Sequence, residues 1–213
     1  MKKNDNHLMS SAIKLIGAAN LRIVKKCQTL MDWQSTVGVI PEHSRINLEN
    51  ARMELEDFWN LWNEEEIKMH FVSVVLNATK ISIRDEVQTF YERKMVGTAR
   101  GLTFSIICDC MIATPTNAYQ PAVPYFFFQE FKKSQADSLD PEAQMLAAML
   151  LAQEKNEDGK PIYGAYQHGK NWYFSVLNGN EYCLGTQFDA TVPASLDKIV
   201  YMLQALKGMI LNR

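Results

Sequence analysis

The 213-residue chain has few of the residues that staple or clamp a fold covalently. Its four cysteines, Cys27, Cys108, Cys110 and Cys183, are too scattered for a disulfide framework and form no paired C-x-x-C zinc arrangement. They read as reduced, mostly buried thiols. No uninterrupted apolar run approaches the ~20 residues that a spanning helix requires, so no membrane partner is expected. Neither sign of charge dominates: 22 Lys and Arg stand against 24 Asp and Glu, interspersed, for a net charge of −2. Nothing global marks a nucleic-acid partner, and any basic surface has to be local. The opening MKKNDNHLMSS is followed by no apolar stretch and no small-residue cleavage site, which argues against secretion and for a cytoplasmic protein. G-x-S-x-G, P-loop and G-x-G-x-x-G motifs are missing, and His7, His43, His70 and His168 show no H-E-x-x-H or other ligand spacing. Acyl transfer, nucleotide hydrolysis and dinucleotide redox chemistry therefore have no support.

What is present suits one domain with an appendage. In residues 1–62, Ile13, Ile16, Leu21, Val24, Cys27 and Leu30 recur at mixed three-, four- and five-residue steps. A second pattern runs through Leu48, Ala51, Leu55, Phe58 and Leu61 or Trp62, with GVIPEHS as a break between the two. Two helices and a connector are predicted, a helical extension or a homo-oligomerisation element without chemistry of its own. Residues 63–213 form the main domain. A third helix should span Asn63 to Ala78, with Glu64 at the head of a stripe carrying Ile67, Phe71, Val74 and Val75. Glu65 and Glu66 point more toward solvent, and all three acids also suit a helix N-terminus on dipole grounds alone.

From Gly101 the period changes. LTFSIICDCMIA and PYFFFQEF read as two central strands. Asp140 and Pro141 then cap and open a helix. PIYGAYQ, NWYFSVL and EYCLG, separated by His168-Gly169 and Asn178-Gly179, read as tight hairpins, and a last helix runs from Pro193 to Leu211. Strand, strand, helix, strands, helix argues for an α/β or α+β sandwich.

The chemistry concentrates at the charged end of YFFFQEFKKSQ. Alternation projects Glu130 and Lys132 on one face, with Phe126 and Phe128 behind them and Gln129 and Phe131 opposite. In the preceding strand Asp109 shares its side with Ile107 and Met111, and Cys108 and Cys110 take the other. If the strands are neighbours, Asp109 and Glu130 converge. Two carboxylates beside an ammonium can hold a hard divalent cation and hydrolyse a phosphodiester. The acid-x-Lys spelling alone says little, because it also occurs at Glu66-Lys68, Glu92-Lys94 and Asp158-Lys160. Lys132 and Lys133 could equally be a solvated strand end with Glu130 in a surface ion pair. Lys170, Trp172 and Tyr173 fit a nucleic-acid contact or ordinary sheet packing.

Asp109, Glu130-Phe131-Lys132 and a following helix bearing Gln144 resemble the PD-(D/E)xK nuclease superfamily. The similarity is closer to a group of uncharacterised bacterial proteins of that superfamily, in which blocks like WNEEEIKMHF, CDCMIA, PYFFFQEFKK, DPEAQMLAAMLLAQ and PIYGAYQHGKNWYF recur in this order. The resemblance covers Trp62 to the C-terminus. It implies a restriction-endonuclease-like α/β core of helix, three strands, helix and strand. It also implies Asp109 and Glu130 as ligands of Mg²⁺ or Mn²⁺, Lys132 as catalytic lysine and Glu64 as the acid from the first core helix. Gln144 stands at the glutamine of a Q-x-x-x-Y motif, although it also fits a turn around Asp140. Cys108 replaces the motif's proline, and Ala148 stands where the tyrosine would be. The implied function is a metal-dependent nuclease with a nucleic-acid partner, DNA in preference to RNA. The alternative is an inactive nuclease fold that binds nucleic acid or protein.

Overall fold

Strands β3 (Leu102–Pro115) and β4 (Pro121–Lys132), the two aromatic and β-branched runs, pair antiparallel near the middle of the sheet. The structure is a computed structural model that describes residues 8–132 and 139–212. Around this pair lie α1 (Ala12–Ala18), β1 (Arg22–Ile23), α2 (Gln28–Ser35), α3 (Glu42–Phe58) and β2 (Gln88–Ala99). The chain continues through α5 (Pro141–Asn156), β5 (Ile162–His168), β6 (Asn171–Asn178), β7 (Glu181–Leu184), β8 (Phe188–Asp189) and α6 (Pro193–Leu211). Helix α4 comprises Glu64–Ile67, a π-helical turn Lys68–Val72, and Ser73–Thr79.

The protein is α/β, with an open, mixed, eight-stranded sheet in the order β1-β7-β6-β5-β4-β3-β2, and β8 pairs with β6 off this path. Among the described residues, only the pairs β4–β5 and β1–β7 are parallel. Helix α5 makes the crossover from β4 to β5, a connection that parallel neighbours require. Asp140 caps it as expected, accepting from the Glu142 N–H at 3.0 Å, with Pro141 at its first position. The hairpins after His168 and Asn178 turn at Gly169 and Gly179, both at positive φ, which glycine adopts more readily than any residue with a side chain.

Helices cover both faces of the sheet. Leu30, Trp33, Leu55, Phe71, Val75 and Leu203 join Phe127 and Phe174 in one core, beneath α2, α3, α4 and α6. Leu15 and Ile16 of α1 and Leu146, Met149 and Leu150 of α5 join Phe104, Met111 and Phe128 in the other. From Met145 to Ala152 every residue of helix α5 is buried and apolar, because this stretch lies between the sheet and α1. It approaches closely at Gly164, where an added Cβ would lie 2.7 Å from the sulfurs of Met145 and Met149.

Three expectations change. The first predicted helix is broken, with Asn20 at positive φ, a two-residue strand at Arg22–Ile23, and α2 starting only at Gln28. Mixed spacing let unrelated apolar residues look like one stripe, and Ile13 is in fact exposed. Strand β2 is missing from the order read off the sequence, because Glu92-Arg93-Lys94 interrupts its alternation. Third, β3 does not alternate uniformly. Phe104, Ile106 and Cys108 pack in the α5 core, but beyond Asp109 it is Met111 and Ala113 that do so, while Cys110 and Ile112 face the other core. Cys108 and Cys110 therefore point to opposite sides.

Candidate functional site

The change of phase in β3 falls where the sheet parts. The β3–β4 register ends at Cys110↔Gln129, and one step further would set Asp109 opposite Glu130. Side chains bridge the gap. The Asp109 N–H donates to Glu130 Oε1 at 3.4 Å, and the Phe131 N–H donates to Asp109 Oδ2 at 2.9 Å. On the other flank, Tyr91↔Cys110 and Arg93↔Cys108 enclose Glu92, which stands at φ +51°, a conformation uncommon outside glycine. Asp109 and Glu130 thus meet where β3 loses its regular pairing on both sides.

Glu130 is 1% exposed, and its Oε2 is buried without a hydrogen-bond partner. Burial first, and the Asp109 charge second, push its carboxyl well above the usual range; the Asp109 N–H and Lys132 oppose them. Lys132 Nζ reaches across to Glu64 Oε2 at 3.0 Å. Among the three adjacent acids, Glu64 is the one that meets this lysine. Glu66 is spent in a capping box with Asn63, and Glu65 is largely exposed.

Two residues join the cluster that the sequence did not single out, Lys68 and Glu92. Lys68 Nζ lies 3.0 Å from Glu64, 3.1 Å from Glu65, 3.4 Å from Asp109 and 3.6 Å from Glu92. Burial works against its ammonium, but Asp109, Glu64 and Glu65 outweigh that and raise its pKa. Its position follows from α4, since Glu64 and Lys68 are one turn apart and the π turn begins at Lys68. The spacing Glu64–Lys68 was a visible signal, but only of an ordinary helix ion pair. Both new residues belong to acid-x-Lys spellings that sequence context had set aside.

The other assignments are placed as follows. Gln144, in the first turns of α5, takes part in none of these described contacts; its Oε1 is buried without a hydrogen-bond partner, and Asp140 does the capping. Lys133 lies outside the described residues. Trp172 is fully buried, Tyr173 stacks on Tyr166, and Lys170 pairs with Asp189 at 2.8 Å, so sheet packing accounts for that hairpin. The cysteines are free thiols, and Cys108 and Cys110 are pushed up by burial. Beside the cluster opens a cavity of about 370 Å³ walled by Met69, Val72, Leu76, Tyr91 and Phe131, with Asp109, Glu92 and Lys68 at its rim.

Among the described residues, no three His, Cys, Asp or Glu side chains are disposed to hold a metal. That does not match a closed zinc site. It is compatible with Mg²⁺ or Mn²⁺, since magnesium commonly takes one or two carboxylates and keeps several waters. The orphaned Oε2 of Glu130 and the carboxylate of Asp109, whose charge acts on it, are the two oxygen donors such an ion would need. No helix among the described residues is long and apolar enough to cross a membrane. No family model and no curated protein matches this chain.

Proposed function

We propose that this protein is a metal-dependent nuclease built on a restriction-endonuclease-like core. The order α4, β2, β3, β4, α5, β5 supports the core, since it repeats the helix, three strands, helix and strand that the resemblance implies. One observation carries the function: a fully buried glutamate with a free oxygen accepts from the Asp109 N–H at a gap in the sheet, and the Asp109 carboxylate shares one ion-pair network with Lys68, Glu64 and Lys132. Burying such a carboxyl without compensation is costly, and it is retained where chemistry uses it.

Asp109 and Glu130 would hold the Mg²⁺ or Mn²⁺ ion. Bound there, the ion would polarise a phosphate oxygen and lower the pKa of a water. Lys132 offsets negative charge building on the phosphate and orients the attacking water. Glu64 fixes the Lys132 ammonium through the 3.0 Å ion pair. The Phe131 N–H, donating to Oδ2, fixes the Asp109 carboxylate.

Purified full-length protein with Mg²⁺ or Mn²⁺ should cleave DNA, and less readily RNA. Lys132→Ala should lower the cleavage rate by at least about a hundredfold, the scale of a lost electrostatic group, with an unchanged circular dichroism spectrum. Equal cleavage by the variant removes Lys132 from the mechanism.

A second reading, an inactive nuclease fold that binds nucleic acid or protein, is favoured by Lys68, which already neutralises Asp109 without any metal. Calorimetry with Mn²⁺ separates the two, since heat of uptake supports the nuclease and its absence supports the binding module.

A further inference from the structure

A structural ion pair needs one partner, and Lys68 has four. Its ammonium is the common neighbour of Glu64 and Glu65, one turn back on the same helix, and of Glu92 and Asp109 on two different strands. Across Asp109 stands the buried, unpartnered Oε2 of Glu130. A divalent cation shared by Asp109 and Glu130 would face that ammonium at little more than contact distance, a like-charge repulsion that the half-buried setting screens poorly.

Resting on the metal-dependent reading, we propose that Lys68 is an exchangeable counter-ion. It holds the acid cluster together in the metal-free protein, and it leaves Asp109 when the divalent cation arrives. The surroundings allow the movement. The lysine borders the cavity of about 370 Å³, whose Met69, Val72 and Leu76 can cover its aliphatic stem while Ser73 and Asn77 offer polar partners. Glu65 and Glu92 lie on the solvent side, 74% and 61% exposed, so the ammonium keeps a carboxylate as it turns outward. Lys68 is a positioning residue by this account: it sets how tightly the metal is held and which charge faces an incoming phosphate.

The test is Mn²⁺ calorimetry on the full chain as wild type, Lys68→Met, Lys68→Gln and Lys68→Arg. The neutral variants should bind Mn²⁺ at least about tenfold more tightly, the change that ~1.4 kcal/mol of relieved repulsion gives, while Lys68→Arg gains nothing. The metal-free neutral variants should melt at a lower temperature and recover with Mn²⁺, because the ion then supplies the missing charge. Folded neutral variants that bind Mn²⁺ no more tightly than wild type overturn this inference alone. Absence of Mn²⁺ binding in all four proteins overturns the metal reading, and this inference with it. Should the neutral variants fail to fold, the Lys68 Cε–Hε resonance of wild-type protein decides: it shifts on Mg²⁺ saturation if the exchange occurs, and an unmoved signal overturns it.

Discussion

Glu130 is the residue that the metal-free fold accommodates least well. Its carboxyl is out of water, beside another acid, with one oxygen unpaired. A buried carboxylate beside another acid is destabilising, so Glu130→Gln, which keeps the shape and removes the charge, should stabilise the metal-free protein. A rise in melting temperature of about 2–4 °C corresponds to ~1 kcal/mol in a chain of this size, and Mn²⁺ uptake should fall in parallel. A lower melting temperature would show that the glutamate is structurally satisfied. At this scale the sequence was informative where charge stood in apolar company. Asp109 within IICDCMIA and Glu130 after three phenylalanines stood out because burial leaves such groups few partners. Lys68 was not legible, since an i,i+4 Glu–Lys pair is what any solvated helix carries. Its reach to Asp109 and Glu92 exists only once α4 is laid across β2 and β3.

At the scale of elements, helix α5 is tied to the sheet by polar bonds as well as by packing. Glu142 accepts from Tyr182 Oη at 3.0 Å and Tyr166 Oη at 3.4 Å, which links α5 to β7 and β5. Burial raises the Glu142 pKa above 4.5, with the two tyrosine hydroxyls opposing the shift. A raised carboxyl holds its proton more tightly in the folded than in the unfolded state. Its contribution is therefore fully present below pH 4.5 and is lost as pH rises through the folded value. Melting temperatures measured from pH 4 upward should show Glu142→Gln gaining on wild type as pH increases; a constant difference would contradict the linkage. Elements with their own punctuation were the readable ones. Asp140-Pro141 opened α5, the glycine turns set the hairpins, and α6 runs from Pro193 to Leu211 as its period required. Strand β2 was hidden because its centre carries three charges, of which Glu92 and Lys94 are exposed to solvent while Arg93 is half-buried and pairs with Cys108 of β3. The changed phase at Asp109 was hidden too, because strict alternation is the only rule a strand sequence offers.

For the molecule as a whole, the N-terminal helices pack into the same two cores as the sheet. Leu15 lies under α5, while Trp33 and Leu55 are buried on the opposite face, and the Trp33 Nε1–H donates to the carbonyl of Met202 at 2.6 Å. Strand β1 adds to the edge beyond β7, and the Ala12 N–H donates to the Asp140 side chain at 2.8 Å. Each buried large side chain contributes ~1.5–3 kcal/mol, so removing this segment sacrifices several such contributions at once. Deleting everything before Asn60 should abolish cooperative unfolding in urea and expose dye-binding apolar surface. A truncated protein that is monodisperse and unfolds in one transition would show that the remaining chain folds independently. The net charge of −2 gave no hint of where a ligand would bind, because the acids that matter are compensated locally by Lys68 and Lys132.

The bond from the Phe131 N–H to Asp109 Oδ2 has a consequence for experimental design. Asp109 serves as mortar between two strands as well as in the proposed chemistry, so an alanine there would loosen masonry and ligand set together, and a dead variant would be uninformative. Asparagine keeps an oxygen for the Phe131 N–H while giving up the charge. It is the substitution whose silence would bear on the proposed chemistry rather than on the fold.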